Sequence, residues 1–371
     1  MKSFKVVPSV VLLESCQEFC ERYKIGAGDL VFASASTMAR SFPAGFEGAL
    51  VIDYRQYGSG EPTDLMVNGI SRAIGSQPIK RVFAIGGGTI LDVAKLFALK
   101  EVFPVADLFD GTIEAVRDKE LILLPTTCGT GSEMTNISIL ELTEKKTKMG
   151  LAVDALYADE AVLVPELLEG LPFKVFAASS LDALIHAVES FTSPKANALT
   201  QMFSLKAMEL ILKGYQQIAE SGEAARQPLL PDFLLASTYA GIAFGNAGCA
   251  AVHALSYPLG AAKHVPHGEA NYVMFMEVYQ TYRSIRCDGS LQLLEQHLAK
   301  ILACPEDTVY ETLGDLLGHI LTPRKMSEYG VQEEDLDIYT DIVMTKQTRL
   351  MANNYVELSA EKVRAIYQKL F

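Results

Sequence analysis

Short apolar runs alternate with helical stretches through the first half of the chain, and this alternation constrains the fold more than any other feature. The apolar runs lie near residues 30–33, 49–52, 81–85 and 121–124, and helical stretches such as 64–75 and 89–100 separate them. Strands that alternate with helices are typical of a parallel sheet covered by helices. The first half therefore predicts an α/β domain.

The pattern changes near residue 170, where Pro165, Gly170 and Pro172 interrupt the chain. Strand signals stop there, and only helical periodicity follows. A chain of 371 residues is long enough to bury two cores. We therefore predict an N-terminal α/β domain over residues 1–168 and an all-α C-terminal domain over residues 169–371.

A glycine turn follows the apolar run at residues 81–85. Gly86, Gly87, Gly88 and Thr89 precede a predicted helix. In a strand–glycine–helix unit, the backbone can approach a pyrophosphate, which then faces the free N–H groups at the start of the helix. The turn is neither G-x-G-x-x-G nor a Walker loop, and three glycines can also form an ordinary tight turn.

A second turn of the same kind follows the apolar run at residues 121–124. Residues 125–133 read Pro-Thr-Thr-Cys-Gly-Thr-Gly-Ser-Glu. Small hydroxylated residues and glycines suit a second wall around a phosphate and a ribose. The repetition favours a dinucleotide site over two unrelated turns.

Four of the six histidines and one aspartate lie between residues 182 and 267. Asp182 and His186 are four residues apart on a predicted helix, so their side chains project from one face. His253, His264 and His267 follow. One carboxylate and three imidazoles can bind a divalent first-row metal.

A histidine on an apolar helix can also be a core packing residue, and an aspartate four residues before a histidine can simply bond to it. The remaining two histidines, His297 and His319, lie in ordinary helical patterns and are interpreted as surface or packing residues.

These motifs together resemble the iron-containing (group III) alcohol dehydrogenases. Residues 86–95 resemble the family signature GGGSxxDxAK, residues 125–133 resemble PTTxGTGSE, and residues 182–187 resemble DAxxHA. His253 and His267 match the two later histidines of the family. The motifs keep the family's order and spacing over nearly the whole chain. The resemblance implies a dehydroquinate synthase-like architecture, with an α/β dinucleotide-binding domain and an all-α metal- and substrate-binding domain.

The resemblance also implies a set of site residues. Fe²⁺ or Zn²⁺ would be held by Asp182, His186, His253 and His267. NAD, with NADP possible, would contact Ser34, Gly86, Gly87, Gly88, Thr89, Asp92, Thr126, Thr127, Thr130 and Lys148. A surface role for Lys148 remains an alternative. Family members form homodimers or larger assemblies, so a homo-oligomer is expected.

Two positions depart from the family pattern. Many members have a histidine, a possible proton relay, where this chain has Tyr257, and a tyrosine with an ordinary pKa near ~10 is a poorer shuttle near neutrality. His264 is the nearby alternative. Many NAD-dependent members also have an aspartate after the first strand, where this chain places Ser34.

Several local strings resemble those family members that interconvert 4-hydroxybutyrate and succinate semialdehyde. They are Cys128 and residues 58–64, 246–248, 254–258 and 264–272. The carboxylate of such a substrate needs a cationic or N–H partner. Lys263 is the candidate, and a solvated loop lysine is its alternative reading.

The same residues are compatible with other functions. Another small alcohol or diol, such as butanol or 1,2-propanediol, would use the same centre. Dehydroquinate synthases and glycerol-1-phosphate dehydrogenases act on phosphorylated substrates, whereas only Lys195 and Lys263 stand out near these motifs. A metal-binding protein without catalysis would be revealed by its failure to turn over NAD(P)H.

Charge and cysteine content limit the partners and the compartment. A net charge of −13 disfavours nucleic acid and anionic membrane surfaces as partners. No apolar run approaches the ~18–20 residues of a membrane span, and the N-terminus lacks a signal-peptide layout. Six scattered cysteines without C-x-x-C pairs predict free thiols in a reducing cytoplasm. Cys128 is interpreted as a small wall residue rather than a reactive thiol.

Overall fold

The computed structural model describes residues 3–58, 60, 62–145 and 147–371. Its contacts divide the chain into two units, Val6–Leu171 and Pro172–Phe371 together with residues 3–5. The first unit is α/β and the second is helical, which confirms the predicted fold class. Ser59 and Glu61, which belong to the string at residues 58–64, lie outside the described residues.

A six-stranded parallel sheet forms the centre of the first unit. Its strands are β1 (Ser9–Leu12), β2 (Asp29–Ala33), β3 (Leu50–Ile52), β4 (Arg81–Gly86), β5 (Glu120–Pro125) and β8 (Glu160–Leu163), in the order β1-β8-β5-β4-β2-β3. The central strands are continuous apolar runs because both faces of a parallel sheet are covered. Gly86 pairs with Pro125, so β4 and β5 end side by side.

An antiparallel hairpin lies outside this sheet and was not predicted. It consists of β6 (Ile137–Leu142) and β7 (Thr147–Ala152). Strand β7 contains no fully buried residue, and a charged turn precedes it. Its sequence therefore lacks the kind of apolar run that predicted β2, β3, β4 and β5. The short strand β8 was also missed.

The helices of the first unit are α1 (Cys16–Tyr23), α2 (Ala35–Ser41), α3 (Asp64–Ile74), α4 (Gly88–Phe97) and α5 (Val105–Asp110). Those of the second unit are α6 (Phe173–Thr192), α7 (Ala198–Ser221), α8 (Leu230–Ala247), α9 (Ala251–Lys263), α10 (His267–Ile285), α11 (Gly289–Leu302), α12 (Val309–Ile320), α13 (Asp335–Lys346), α14 (Thr348–Met351) and α15 (Ala360–Leu370). Helix α6 is buried along almost its whole length and packs against α7, α8 and α10.

The break between α8 and α9 differs from the sequence prediction, which had one helix over residues 246–258. Gly248 has φ 78° and ends α8. A side chain cannot replace its hydrogen, because a β-carbon there would lie 2.5 Å from Asn353 Nδ2. Helix α9 therefore begins only at Ala251.

Among the described residues, no single helix has both the length and the hydropathy required to cross a bilayer. The segments Glu223–Ala247 and Ala251–Lys263 meet these criteria only as a pair, and they are bent by 105° relative to each other.

Candidate active site

The glycine turn connects β4 to the start of α4. Gly87 is the N-cap residue of α4, and its carbonyl accepts the N–H groups of Ile90 (2.9 Å) and Leu91 (3.1 Å). Among the described residues, no side chain caps this helix start. Gly87, Gly88 and Thr89 are partly exposed. The arrangement suits an anion, because the first N–H groups of a helix carry partial positive charge.

The second predicted wall lies directly beside this turn. The Thr126 N–H donates to the Gly86 carbonyl at 3.0 Å. A β-carbon placed on Gly87 would lie 3.4 Å from Thr127 Cγ2, and one on Gly88 would lie 2.8 Å from Thr130 Cγ2. The structure thus brings the two predicted cofactor loops together, and Thr130 requires glycine at position 88.

Asp92 lies on α4 and contacts protein groups. Its carboxylate accepts from the Ser132 hydroxyl (2.5 Å), from Lys95 Nζ (3.2 Å) and from the N–H of Ile139 (3.1 Å). Lys95 is fully buried and also donates to Ser132 (2.6 Å). Burial lowers the pKa of Lys95, which Asp92 partly opposes. Asp92 therefore positions the second loop.

Ser34 and Lys148 complete the predicted cofactor contacts. Ser34 follows β2, whose Ala33 pairs with Ile85, so it lies at the same sheet edge as the glycine turn. It is buried, and its hydroxyl caps α2 by accepting the Thr37 N–H at 3.1 Å. Lys148 lies within β7, where it pairs in register with Glu141.

The four predicted metal ligands lie together in the helical unit. Helix α6 carries Asp182 and His186, α9 carries His253, and α10 begins at His267. Asp182 Oδ2 is 3.9 Å from His186 Nδ1, and Oδ1 is 3.7 Å from both His253 Nε2 and His267 Nε2. The His186 and His253 rings stack with centroids 4.6 Å apart. We call these four residues the cage.

The cage has the properties of a divalent metal site. His253 Nε2 is buried, and among the described residues it has no hydrogen-bond partner. Two donors on one ion, each bound at about 2.0–2.2 Å, are separated by roughly the spacing seen here. Burial alone would raise the pKa of Asp182, but His186, His267 and His253 and the Asn271 amide hold it below its ordinary value. The cage therefore retains a charged carboxylate.

Two buried residues that support the cage were not assigned a role from the sequence. Glu189 accepts from His253 Nδ1 (2.6 Å) and from the N–H groups of Ala250 (2.9 Å) and Val252 (2.6 Å). Asn271 Nδ2 donates to Asp182 Oδ1 at 2.7 Å. Partners of this kind orient metal ligands. Glu189 lies seven residues after Asp182, so helical spacing could have identified it.

The two predicted proton-transfer residues lie in different environments. The ring centroid of Tyr257 is 5.9 Å from that of His267. Burial raises the pKa of Tyr257, so its phenol is neutral at pH 7. His264 is exposed at the end of α9 with φ 53°. Among the described residues, no hydrogen bond or ring contact connects His264 to the cage.

Two cationic residues lie on α9 or on the helix packed against it. Lys263, the predicted carboxylate partner, forms an ion pair with Asp335 at 3.2 Å. Arg349 lies on α14, which packs against α9, and its charge partly opposes the rise that burial causes in the pKa of Tyr257. Within the described part of the chain, no ion pair engages Arg349. Arg349 is exposed, and the sequence did not single it out.

Comparisons with known proteins cover both units. The family model "Iron-containing alcohol dehydrogenase" matches residues 12–165, and "Fe-containing alcohol dehydrogenase family, C-terminal" matches residues 176–371. A 4-hydroxybutyrate dehydrogenase of Clostridium kluyveri is 46% identical over the full length of both chains. Long-chain-alcohol dehydrogenase 1 of Geobacillus thermodenitrificans is 35% identical and covers 78% of this chain and 74% of its own.

Solved structures share the fold. Sulfoacetaldehyde reductase from Bifidobacterium kashiwanohense, in complex with NAD⁺, superposes with a TM-score of 0.84 at 23% identity and covers 100% of this chain and 98% of its own. A 1,3-propanediol oxidoreductase gives a TM-score of 0.82 at 20% identity, with full coverage of both chains. The family resemblance of the sequence motifs is confirmed, and the chain belongs to the iron-containing alcohol dehydrogenase family.

Proposed function

We propose that the protein is an NAD-linked, divalent-metal-dependent alcohol dehydrogenase that interconverts 4-hydroxybutyrate and succinate semialdehyde. The principal support is the 46% identity, over its whole length, with a 4-hydroxybutyrate dehydrogenase. In this proposal Asp182, His186, His253 and His267 are the metal ligands, and the paired glycine and threonine loops hold NAD. A divalent ion supplies a Lewis acid for the substrate oxygen, and NAD carries the hydride.

The side chains of the cage have distinct tasks in this proposal. Asp182 brings a negative charge that offsets part of the charge of a cation. Glu189 accepts a hydrogen bond from His253 Nδ1, which leaves the lone pair on Nε2 for the cage. Asn271 fixes one oxygen of Asp182. The ligands are thus oriented before a cation binds.

Proton transfer is assigned to Tyr257 and His264. Oxidation of the alcohol releases a hydride from carbon and a proton from oxygen. Tyr257 is neutral and lies next to His267, so its phenol O–H can donate a hydrogen bond to the substrate oxygen. His264 is exposed at the end of the same helix, where it can pass a proton to water.

Arg349 is the proposed partner of the substrate carboxylate. The substrate has four carbons, so its carboxylate lies only about 5 Å from the alcohol, estimated from ordinary bond lengths. The charge of Arg349 acts on the pKa of Tyr257. The Tyr257 ring centroid lies 5.9 Å from that of the cage residue His267. A guanidinium binds a carboxylate through two parallel hydrogen bonds. Lys263 is less suitable because Asp335 already neutralises it.

Substitution of Arg349 by methionine tests this substrate assignment. A charge-assisted hydrogen bond contributes about 1.5–3 kcal/mol, so kcat/KM for 4-hydroxybutyrate should fall roughly ten- to hundredfold. Activity with 1-butanol should be unchanged, because butanol has no carboxylate. Steady-state NADH formation with both alcohols measures the effect. Lys263→Met is the matched control and should change neither value.

The outcomes separate the residue from the substrate. If Lys263→Met shows the selective loss, the carboxylate partner is Lys263. If the wild-type protein prefers 1-butanol or 1,2-propanediol by kcat/KM, the 4-hydroxybutyrate assignment is wrong and the family assignment stands.

The cofactor site is tested by two neighbouring glycines. Gly88→Val displaces Thr130, because even a β-carbon would approach it to 2.8 Å, so NAD affinity should fall together with thermal stability. Gly87→Ala has room within the protein, 3.4 Å from Thr127. If the pyrophosphate contacts this backbone, Gly87→Ala should weaken NAD binding at an unchanged Tm. Unchanged NAD affinity in both variants, measured by calorimetry, would place the cofactor elsewhere.

We further propose that the enzyme works in the cytoplasm as a homodimer or a larger homo-oligomer. All six cysteines are free thiols, which suits a reducing compartment. Light scattering during size-exclusion chromatography measures the assembly. A monomer at micromolar concentration would contradict the oligomer.

A further inference from the structure

Cys249 occupies a fixed position beside the cage. It lies in the short link between α8 and α9, and its carbonyl accepts from Asn353 Nδ2 at 2.9 Å. The N–H of the next residue, Ala250, donates to Glu189 at 2.9 Å. Gly248, just before it, packs closely against Asn353. The buried thiol therefore projects from a backbone that is held on both sides.

The thiol belongs to a possible donor set. Cys249 Sγ and one ring nitrogen each of His186 and His253 all lie within 4.8 Å of one another. Tetrahedral donors at about 2.0–2.3 Å from one ion lie roughly 3.3–3.8 Å apart, which falls within this limit. Asp182, His253 and His267 form a second set under the same limit. The two sets share His253, so they describe overlapping positions for one ion.

We propose that Cys249 is a metal ligand, and that with His186 and His253 it forms a thiolate-containing position for a thiophilic divalent ion such as Zn²⁺. Binding replaces the S–H bond by a metal–sulfur bond and releases the proton to solvent, with no change of oxidation state. Because thiolates favour zinc over iron, and imidazoles accept both, Cys249 shifts the preference of the centre toward zinc. The proposal rests on the cage but not on the substrate.

Cobalt substitution tests the proposal on the full-length protein. The chelator-treated protein is loaded with one equivalent of Co²⁺, and its absorption spectrum is recorded. The wild-type protein should show a thiolate-to-cobalt charge-transfer band in the near ultraviolet. The Cys249→Ser variant should lose this band while it still binds Co²⁺. Cys128→Ser and Cys304→Ser are matched controls and should retain it.

The possible results are distinct. Stoichiometric Co²⁺ binding without the charge-transfer band in the wild-type protein overturns the role of Cys249 and leaves the cage intact. The same band in Cys249→Ser also overturns it, and failure to bind Co²⁺ overturns the cage as well. X-ray absorption of the zinc-loaded wild-type protein needs no variant: a sulfur shell at about 2.3 Å is expected, and a shell of nitrogen and oxygen alone overturns the proposal.

Discussion

The His253→Ala variant should lose its divalent ion together with at least about a hundredfold in kcat. The Nε2 atom of His253 is buried and lies 3.7 Å from Asp182 Oδ1. Removal of the imidazole therefore deprives the cage of one of its donor atoms. A Lewis acid contributes several kcal/mol of transition-state stabilisation, and each ~1.36 kcal/mol corresponds to a factor of ten in rate. Elemental analysis and steady-state kinetics on the same preparation measure both losses.

His319→Ala is the control for this variant. His319 is exposed on α12, and its Nδ1 lies 2.7 Å from the Asp315 carbonyl oxygen. In the described part of the chain, no hydrogen bond, ion pair or ring contact connects His319 to the cage. Its metal content and kcat should equal those of the wild-type protein. Full metal occupancy in His253→Ala would refute the ligand assignment.

The Asp92→Ala variant should lose about 3–5 kcal/mol of unfolding free energy at pH 7, the usual effect of leaving a buried charge without its partner. The substitution leaves the Lys95 ammonium fully buried without its carboxylate. Ser132 also loses an acceptor at 2.5 Å, so the second loop should loosen. Urea denaturation measures the change.

The pH dependence of this loss has a definite sign. Burial lowers the pKa of Lys95 in the folded state, and the loss of Asp92 should lower it further. Between the lowered pKa of the folded state and the ordinary lysine pKa, the unfolded chain then binds more protons than the folded one, so the variant should gain stability as the pH rises through that window. Asp118→Ala removes a half-exposed carboxylate that pairs with Lys119 and should cost at most about 1 kcal/mol. An equally small cost for Asp92→Ala would show that the buried pair is not needed.

The sequence predicted those features that depend on local patterns. The unit formed by β4, the glycine turn and α4 is contiguous, so the apolar run, the glycines and the helical periodicity appear together. The cage was predicted because Asp182 and His186 share one helix face and because the family motifs supplied His253 and His267. Their proximity in the structure reflects the packing of α9 and α10 against each other and of α10 against α6.

The missed features depend on tertiary contacts. Cys249 was counted only among scattered thiols, because its distance to His186 follows from the turn at Gly248. The ion pair of Lys263, the predicted partner of the substrate carboxylate, with Asp335 on α13 is such a contact. Arg349 gives no signal in the sequence, because a four-residue helix packed on α9 leaves no distinctive pattern.

The distribution of the cage over α6, α9 and α10 links ion binding to the folding of the helical unit. In sequence, α7 and α8 separate α6 from α9 and α10, so an ion that needs all three helices binds the folded state selectively. Such an ion acts as a removable cross-link. At a free concentration a hundred times its Kd, it adds about 2.7 kcal/mol to the unfolding free energy. The melting temperature of this unit should therefore depend on how much metal the surrounding medium supplies.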